Sequence, residues 1–199
     1  MTAALFLHES GSAGRSLLLL HGLAGSWRFW QTALPALEQQ HRVTCPDLLG
    51  FGRSPWPEDV PYTVETHMEA LVASVLPRLE APFDLVGHSL GAVLALELAA
   101  RAPERVRSLT LLALPFYEDE QQARAHLRRT RWGRWLLERP LLAHATCTLI
   151  CQRRRLWRHV LPALLPRVPR AVVVDSLLHS FHSISSSLHE CCRWRSDSA

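Results

Sequence analysis

The 199-residue chain contains no lysine and no asparagine, so all 22 of its basic side chains are arginines. It shows no transmembrane segment, because the apolar run near its start, Leu17–Leu20, falls far short of the ~20 residues that a spanning helix needs. No basic segment leads into an apolar one there, so we expect a cytoplasmic protein without a signal peptide. With 48% hydrophobic and 20% charged residues, the composition excludes disorder, collagen and coiled coil. One domain with a sizeable core is expected.

Charge is divided unevenly between the two halves. Residues 1–99 carry 5 arginines against 10 acidic residues, a net of −5, whereas residues 100–199 carry 17 arginines against 8, a net of +9. Arginine clusters at 124–134 and 153–158 fit a solvated helix face, or a surface for a phosphate, an acidic lipid or an anionic substrate. Neither cluster has the interleaved aromatics and glycines of a nucleic-acid-binding module, so no nucleic-acid partner is expected.

The five cysteines are an odd number and are scattered, which is typical of reduced thiols. Cys147 and Cys151 lie four residues apart, on one face of a helix, and His144 lies close before them. This spacing matches no established zinc pattern. We therefore expect buried thiols that behave as small apolar side chains, no metal site and no cofactor.

Short apolar runs alternate with amphipathic segments up to residue 116. Five predicted strands occupy residues 3–8, 16–21, 41–45, 83–86 and 106–114. Three predicted helices occupy residues 27–40, 63–80 and 89–102. This alternation predicts an α/β fold with a mostly parallel sheet and helices on both faces. Residues 117–165 predict two or three further helices with no strand between them.

The most specific segment is Phe83–Gly91, which contains the pattern G-x-S-x-G with Ser89 at its centre. It follows an apolar strand and opens an apolar helix, and so sharp a turn strains the central residue. The positions two away must then be small, as Gly87 and Gly91 are. Such a turn lifts the serine hydroxyl out of the sheet at the positive end of the helix. The alternative is an ordinary helix-capping serine flanked by glycines.

A second segment, H-G-L-A-G, begins at His21 directly after a buried strand. A nucleophilic serine needs donors aimed at the oxyanion that forms when it attacks a carbonyl. We predict the backbone N–H groups of Leu23 and Leu90 as those donors. The residues predicted to support the two turns are His21, Gly22, Gly87, His88 and Gly91.

Asp47 opens a third segment, D-L-L-G-F-G-R-S, and we expect it to hold the following loop by local hydrogen bonds rather than to serve as a catalytic carboxylate. Together the three segments resemble the α/β-hydrolase superfamily, in its serine-nucleophile branch, over residues 5 to about 115. The resemblance implies that Ser89 is the nucleophile and that the substrate is a small carboxylic ester or a related acyl compound. It also implies a helical cap inserted after the strand near Leu114, the sixth strand of the family.

The resemblance divides the chain into a core with the nucleophile turn (1–116), a helical cap or lid (117–190) and a disordered tail (191–199). After the cap, the family continues with a strand that ends in an acid and another that leads to a histidine. The sequence shows neither. We therefore expect the late strands to be missing and the chain to be C-terminally shortened.

A nucleophilic serine needs a base, and the base needs an orienting acid. The candidate acid is Asp175, at the end of an apolar run that fits the tip of a strand or a cap helix. The candidate base is His182, with His179 and His189 as alternatives. The competing interpretations are a non-catalytic protein that binds an apolar or acidic ligand under the arginine-rich cap, and an inactive shortened form.

Overall fold

The computed structural model describes residues 4–194, apart from the side chains of Arg131, Trp132 and Leu136. Its strands are β1 (Leu7–Ser10), β2 (Arg15–Leu20), β3 (His41–Pro46), β4 (Phe83–His88) and β5 (Val106–Leu112). They form one sheet in the order β1-β3-β2-β4-β5. β1 is antiparallel to β3, and all other neighbouring pairs are parallel. The predicted mostly parallel α/β sheet is confirmed.

Helices connect the strands of the sheet, and the elements that follow β5 in the described chain are all helices. The α-helices of the described chain are α1 (Leu34–Leu37), α2 (Val64–Ser74), α3 (Leu90–Arg101), α4 (Glu120–Arg128), α5 (Arg131–Glu138), α6 (Pro140–Gln152), α7 (Arg154–Leu164), α8 (Arg170–Asp175) and α9 (Phe181–Arg193). Short 3₁₀ turns lie at Trp27–Trp30, Leu76–Arg78 and Pro103–Arg105. None of the helices within residues 4–194 has the length and apolar character that a membrane span needs.

The central strand β2 is apolar on both faces because helical segments cover both. Leu18 and Leu20 pack into the larger core, which α2 and α3 complete. Leu17 and Leu19 face the other way, into a smaller core that contains Trp30. Side chains alternate along a strand, so an unbroken apolar run marks a strand that is buried on both sides.

β5 is the last strand of the described sheet. Its side chains are half-buried or exposed along the whole strand, and Leu112 is 41% exposed. No strand follows β5 in the sequence before Trp194, where the described residues end. This agrees with the prediction that the sheet is short of its late strands.

The segment around Asp175 is helical. Residues Arg170–Asp175 form α8, so the interpretation of this run as a strand with an acid at its tip is wrong. Three successive valines favour a strand on local grounds, but the short helix buries Val173 and Asp175, and it packs on α7 and on the 3₁₀ turn at Trp27–Trp30. Tertiary burial decides the conformation here.

The predicted boundary of the disordered tail at residue 191 is wrong for its first residues. α9 continues to Arg193, and both Cys191 and Cys192 are buried. Ser183 and Ser187 are fully buried, and the Ser187 hydroxyl lies 3.1 Å from His67 Nε2 on α2. Small hydroxyl side chains let α9 approach the core closely. The serine-rich composition of this segment is therefore compatible with a packed helix. Residues 195–199 lie outside the described residues.

Asp47 holds the loop that follows β3, as the sequence predicted. Its Oδ1 accepts a hydrogen bond from Trp27 N (2.7 Å), and its Oδ2 accepts one from Arg53 N (2.8 Å). The carboxylate is fully buried. It therefore ties two loops at the carboxyl edge of the sheet, where the candidate site lies.

We expect Asp47→Ala to lower the free energy of unfolding by roughly 2–4 kcal/mol, because two backbone donors lose their acceptor. Urea denaturation measures the change. Asp59→Ala removes the same charge from an exposed position of the same loop and should change the stability by less than about 0.5 kcal/mol. Equal effects of the two substitutions would contradict this role for Asp47.

Candidate active site

Ser89 lies at a strained turn between β4 and α3. Its φ of 53° and ψ of −117° place it outside the regions that L-residues favour. A Cβ at Gly87 would lie 2.2 Å from Gly91 O, and a Cβ at Gly91 would lie 2.4 Å from Leu20 O. Neither position can therefore carry a side chain. The G-x-S-x-G pattern is a direct consequence of this close packing.

The Ser89 hydroxyl is not used to cap α3. The side chain makes no capping hydrogen bond to the described helix, whereas the backbone of Ser89 is fully engaged. Its N–H donates to Leu112 O (2.9 Å), and its carbonyl accepts from Ala92 N (2.8 Å). The alternative of an ordinary capping serine is therefore wrong.

The His21-Gly22 loop lies against the Ser89 turn because β2 and β4 are neighbours with Leu20 opposite Gly87. A Cβ at Gly22 would lie 2.8 Å from His88 Nδ1 and 3.0 Å from the Cβ of Ser89. Only glycine allows this approach. Within residues 4–194, neither Leu23 N nor Leu90 N donates a hydrogen bond to the protein, so both remain available to an acceptor in the site.

His21 fixes this loop through its imidazole ring. Leu48 N donates to His21 Nε2 (2.9 Å), so the ring hydrogen lies on Nδ1, which donates to Gly22 O (2.8 Å). Burial lowers the pKa of His21 to about 4, and the ring is therefore neutral at pH 7. The sequence predicted only that His21 supports the turn; in the structure its side chain joins the loops after β2 and β3.

A cavity of about 590 Å³ adjoins Ser89. Its walls come from the core, from α4 to α7, from the connector between α8 and α9, and from α9. The lining residues are Leu23, Ala24, His88, Ser89, Pro115, Tyr117, Leu127, Trp135, Ala143, Thr146, Cys147, Ile150, Leu161, Ser176, Leu177, His179, Phe181, Ile184, Leu188, Cys191 and Cys192. Most are apolar, and none of the arginine side chains that the structure describes is among them. The described arginines of the two clusters therefore do not line this cavity.

His88 borders the cavity beside Ser89. Its ring stacks on Phe29 with centroids 4.5 Å apart, and burial lowers its pKa. Stacking fixes the ring, so the histidine of the G-x-S-x-G pattern packs the turn from one side.

The structure does not bring together the two residues predicted as acid and base. Asp175 Oδ2 accepts a hydrogen bond from Ser26 Oγ (2.9 Å) and pairs with Arg28 Nε (3.0 Å). His182 is exposed, and its Nε2 lies 3.1 Å from Val60 O. The two side chains have different partners because Asp175 ends α8 facing the core, whereas His182 begins α9 facing solvent. Within residues 4–194, no hydrogen bond joins the Ser89 hydroxyl to a histidine.

His179 is the histidine that sequence reasoning placed second and that the structure brings to the cavity. Its backbone forms an antiparallel bridge with Phe51, and Gly52 N donates to Leu178 O (2.7 Å). Its Nε2 lies 3.6 Å from Cys147 Sγ, and Cys147 Sγ lies 3.9 Å from Cys151 Sγ. His144, the neighbour of the cysteines in sequence, instead packs against Phe181. Because residues 147 and 179 are far apart in the sequence, no motif spacing could have predicted that they meet.

The chain is similar in sequence to a known protein family and to individual known proteins. The model of the alpha/beta hydrolase fold family matches residues 15–146. Probable lysophospholipase BODYGUARD 3 of Arabidopsis thaliana is 34% identical over 200 residues, which cover 89% of this chain and 40% of that protein. 2-Hydroxymuconate semialdehyde hydrolase of Pseudomonas sp. strain CF600 is 44% identical over 110 residues, 53% of this chain and 38% of that one.

Solved structures agree with the fold. A marine microorganism esterase matches with a TM-score of 0.66 at 20% identity, over 99% of this chain and 76% of that chain. The chain spans 40–45% of the length of the first two curated relatives that it matches. The family match over residues 15–146, together with the identity to the Arabidopsis protein over most of the chain, shows that the chain belongs to the alpha/beta hydrolase fold family.

Proposed function

We propose that the chain carries the nucleophile and the oxyanion donors of a serine hydrolase that acts on a carboxylic ester or a related acyl compound. The observation that carries the proposal is Ser89, held at φ 53° beside an apolar cavity, with a hydroxyl that does not cap its helix. Strain of this kind costs about 1–3 kcal/mol and is found mainly at functional sites. One relative is named a probable lysophospholipase and another a hydrolase, and both names support a hydrolytic reaction.

In the proposed reaction, Ser89 Oγ attacks the carbonyl carbon and forms a tetrahedral intermediate. The hydroxyl proton passes to a base and then to the leaving group. The negative charge on the former carbonyl oxygen is stabilised by the N–H groups of Leu23 and Leu90. Both belong to turns that glycines bring close together. Water then releases the acyl group from Ser89.

The apolar lining indicates the substrate class. Cap residues such as Leu127, Ile150 and Leu161, together with Ile184 of α9, offer the acyl group a surface without charge. We infer that the acyl chain is hydrocarbon-like rather than anionic. An acidic ligand would require a cationic side chain in the wall.

Ser89→Ala should abolish covalent labelling by an alkyl fluorophosphonate, because only an activated serine attacks phosphorus readily. Labelling is measured by intact-protein mass spectrometry on chains with matching thermal melts. Ser12→Ala, an exposed serine, should label as the unmodified protein does. A folded chain that takes no label would contradict an activated Ser89 and would favour the competing interpretations, a non-catalytic ligand-binding protein or an inactive shortened form.

His182→Ala should leave the labelling rate unchanged within about twofold, because the ring contacts Val60 O outside the cavity. Loss of a true base would slow labelling by about a hundredfold or more. A loss of that size would mean that His182 reaches Ser89 in another conformation and would restore the original prediction.

The labelling rate should rise with the length of the alkyl group on the fluorophosphonate, by up to about fourfold per methylene, since each buried CH₂ contributes about 0.8 kcal/mol. Ala143→Phe fills the cavity from α6 and should flatten this dependence. Ala145→Phe makes the same change on the exposed face of α6 and should preserve it. A flat series with the unmodified protein would contradict the assigned acyl site.

A further inference from the structure

A cluster of two thiols and an imidazole lies in the wall of the Ser89 cavity. Cys147 and Cys151 come from α6, and His179 comes from the connector between α8 and α9. Their three ligand atoms lie within 4.8 Å of one another. Cys147 and His179 line the cavity, and Cys151 lines the neighbouring groove.

The distances match those of a tetrahedral metal centre. Bonds of about 2.3 Å to sulfur and 2.0–2.1 Å to nitrogen place two sulfurs about 3.8 Å apart, and a sulfur and a nitrogen about 3.6 Å apart. The observed separations are 3.9 Å between the two sulfurs and 3.6 Å between Cys147 Sγ and His179 Nε2. Two of the three edges of a coordination triangle are therefore already formed.

The chemistry of the three side chains suits a metal as well. Imidazole nitrogen and cysteine thiolate are both established ligands of zinc-class ions. Each thiol would release its proton to solvent on binding, as metal sites commonly do.

The ligands are held in place before any ion arrives. Arg154 donates to Leu177 O (3.0 Å) and to His179 O (2.6 Å). Cys151 Sγ donates to His179 O (3.4 Å). The connector is fixed on its other side by the bridge between Phe51 and His179. Both elements that carry ligands are thus already in contact.

We propose that Cys147, Cys151 and His179 bind one zinc-class cation in the wall of the Ser89 cavity. Thiolate and imidazole ligands select such ions over magnesium or calcium. Three protein ligands leave one position of a tetrahedral ion to water or to a ligand. The ion would link α6 of the cap to the connector that is bonded to the core. The site does not depend on Ser89 acting as a nucleophile.

The test is titration of the reduced chain with Co²⁺, which gives thiolate-to-metal absorption bands only when sulfur is bound. The unmodified protein should show these bands with an end point of one ion per chain, and Zn²⁺ should displace them. Cys147→Ser/Cys151→Ser should abolish the bands, and His179→Ala should weaken binding by at least about tenfold, the scale of a disturbed ligand shell.

His144→Ala is the matched control, because this exposed histidine lies on the same helix and is nearer in sequence. It should leave the titration unchanged. Circular dichroism confirms that each variant is folded. The proposal is overturned if the folded, reduced protein gives no thiolate bands, if the double serine variant keeps them, or if His144→Ala removes them while His179→Ala does not. Each readout is independent of hydrolysis, so failure here is distinguishable from failure of the proposed enzyme activity.

Discussion

The constraint on which the site depends is the positive φ of Ser89. A non-glycine residue held there costs stability, and the surrounding backbone must over-determine it. β5 does so through the hydrogen bond from Ser89 N to Leu112 O, and α3 does so through the bonds to the Ser89 carbonyl. Because the turn is tight, Gly87 and Gly91 have no room for a side chain. The strained backbone, the two flanking glycines and a serine hydroxyl that does not cap its helix therefore follow from the same tight turn.

The loop after the neighbouring strand β2 lies against the Ser89 turn, and the loop after β3 supports it. The side chains of His21 and Asp47 act as buried cross-links between the loops after β2 and β3. Gly22 then lies against Ser89 at a distance that no larger residue allows. The loops that carry the backbone N–H groups predicted to bind an oxyanion are therefore held by buried side chains that do not line the cavity. The burial of His21 and Asp47 is tolerable because both side chains are hydrogen-bonded at two atoms.

Sequence reasoning predicts the alternation of strands and helices before residue 115, because there the signals are local. Each signal there depends on residues that are close in the sequence. Examples are an apolar run of strand length, a glycine two residues from Ser89, and an aspartate at the start of a loop. Two bounds are wrong: β1 begins at Leu7 rather than at residue 3, and the helix predicted over 27–40 is a 3₁₀ turn followed by the four-residue α1. The later residues are different. Val172 and Val173 favour a strand by propensity, yet they lie in a helix that buries Val173. The serines of α9 resemble a frayed tail, yet two of them are fully buried where they let helices approach. His179 has no spacing that ties it to Cys147, since tertiary folding alone brings them together.

The connector between α8 and α9 explains why chain order misled the assignment of Asp175. In chain order, an acid and then a histidine follow Ser89, as a triad requires. In space, Asp175 faces Ser26 and Arg28, which belong to the loop after β2. Four residues later, His179 bridges to Phe51 in the loop after β3. One short segment thus fastens the helices after residue 116 to both loops at the carboxyl edge of the sheet. In this position Asp175 joins α8 to the segment after β2, at the carboxyl edge of the sheet. Its carboxylate is already paired with an arginine.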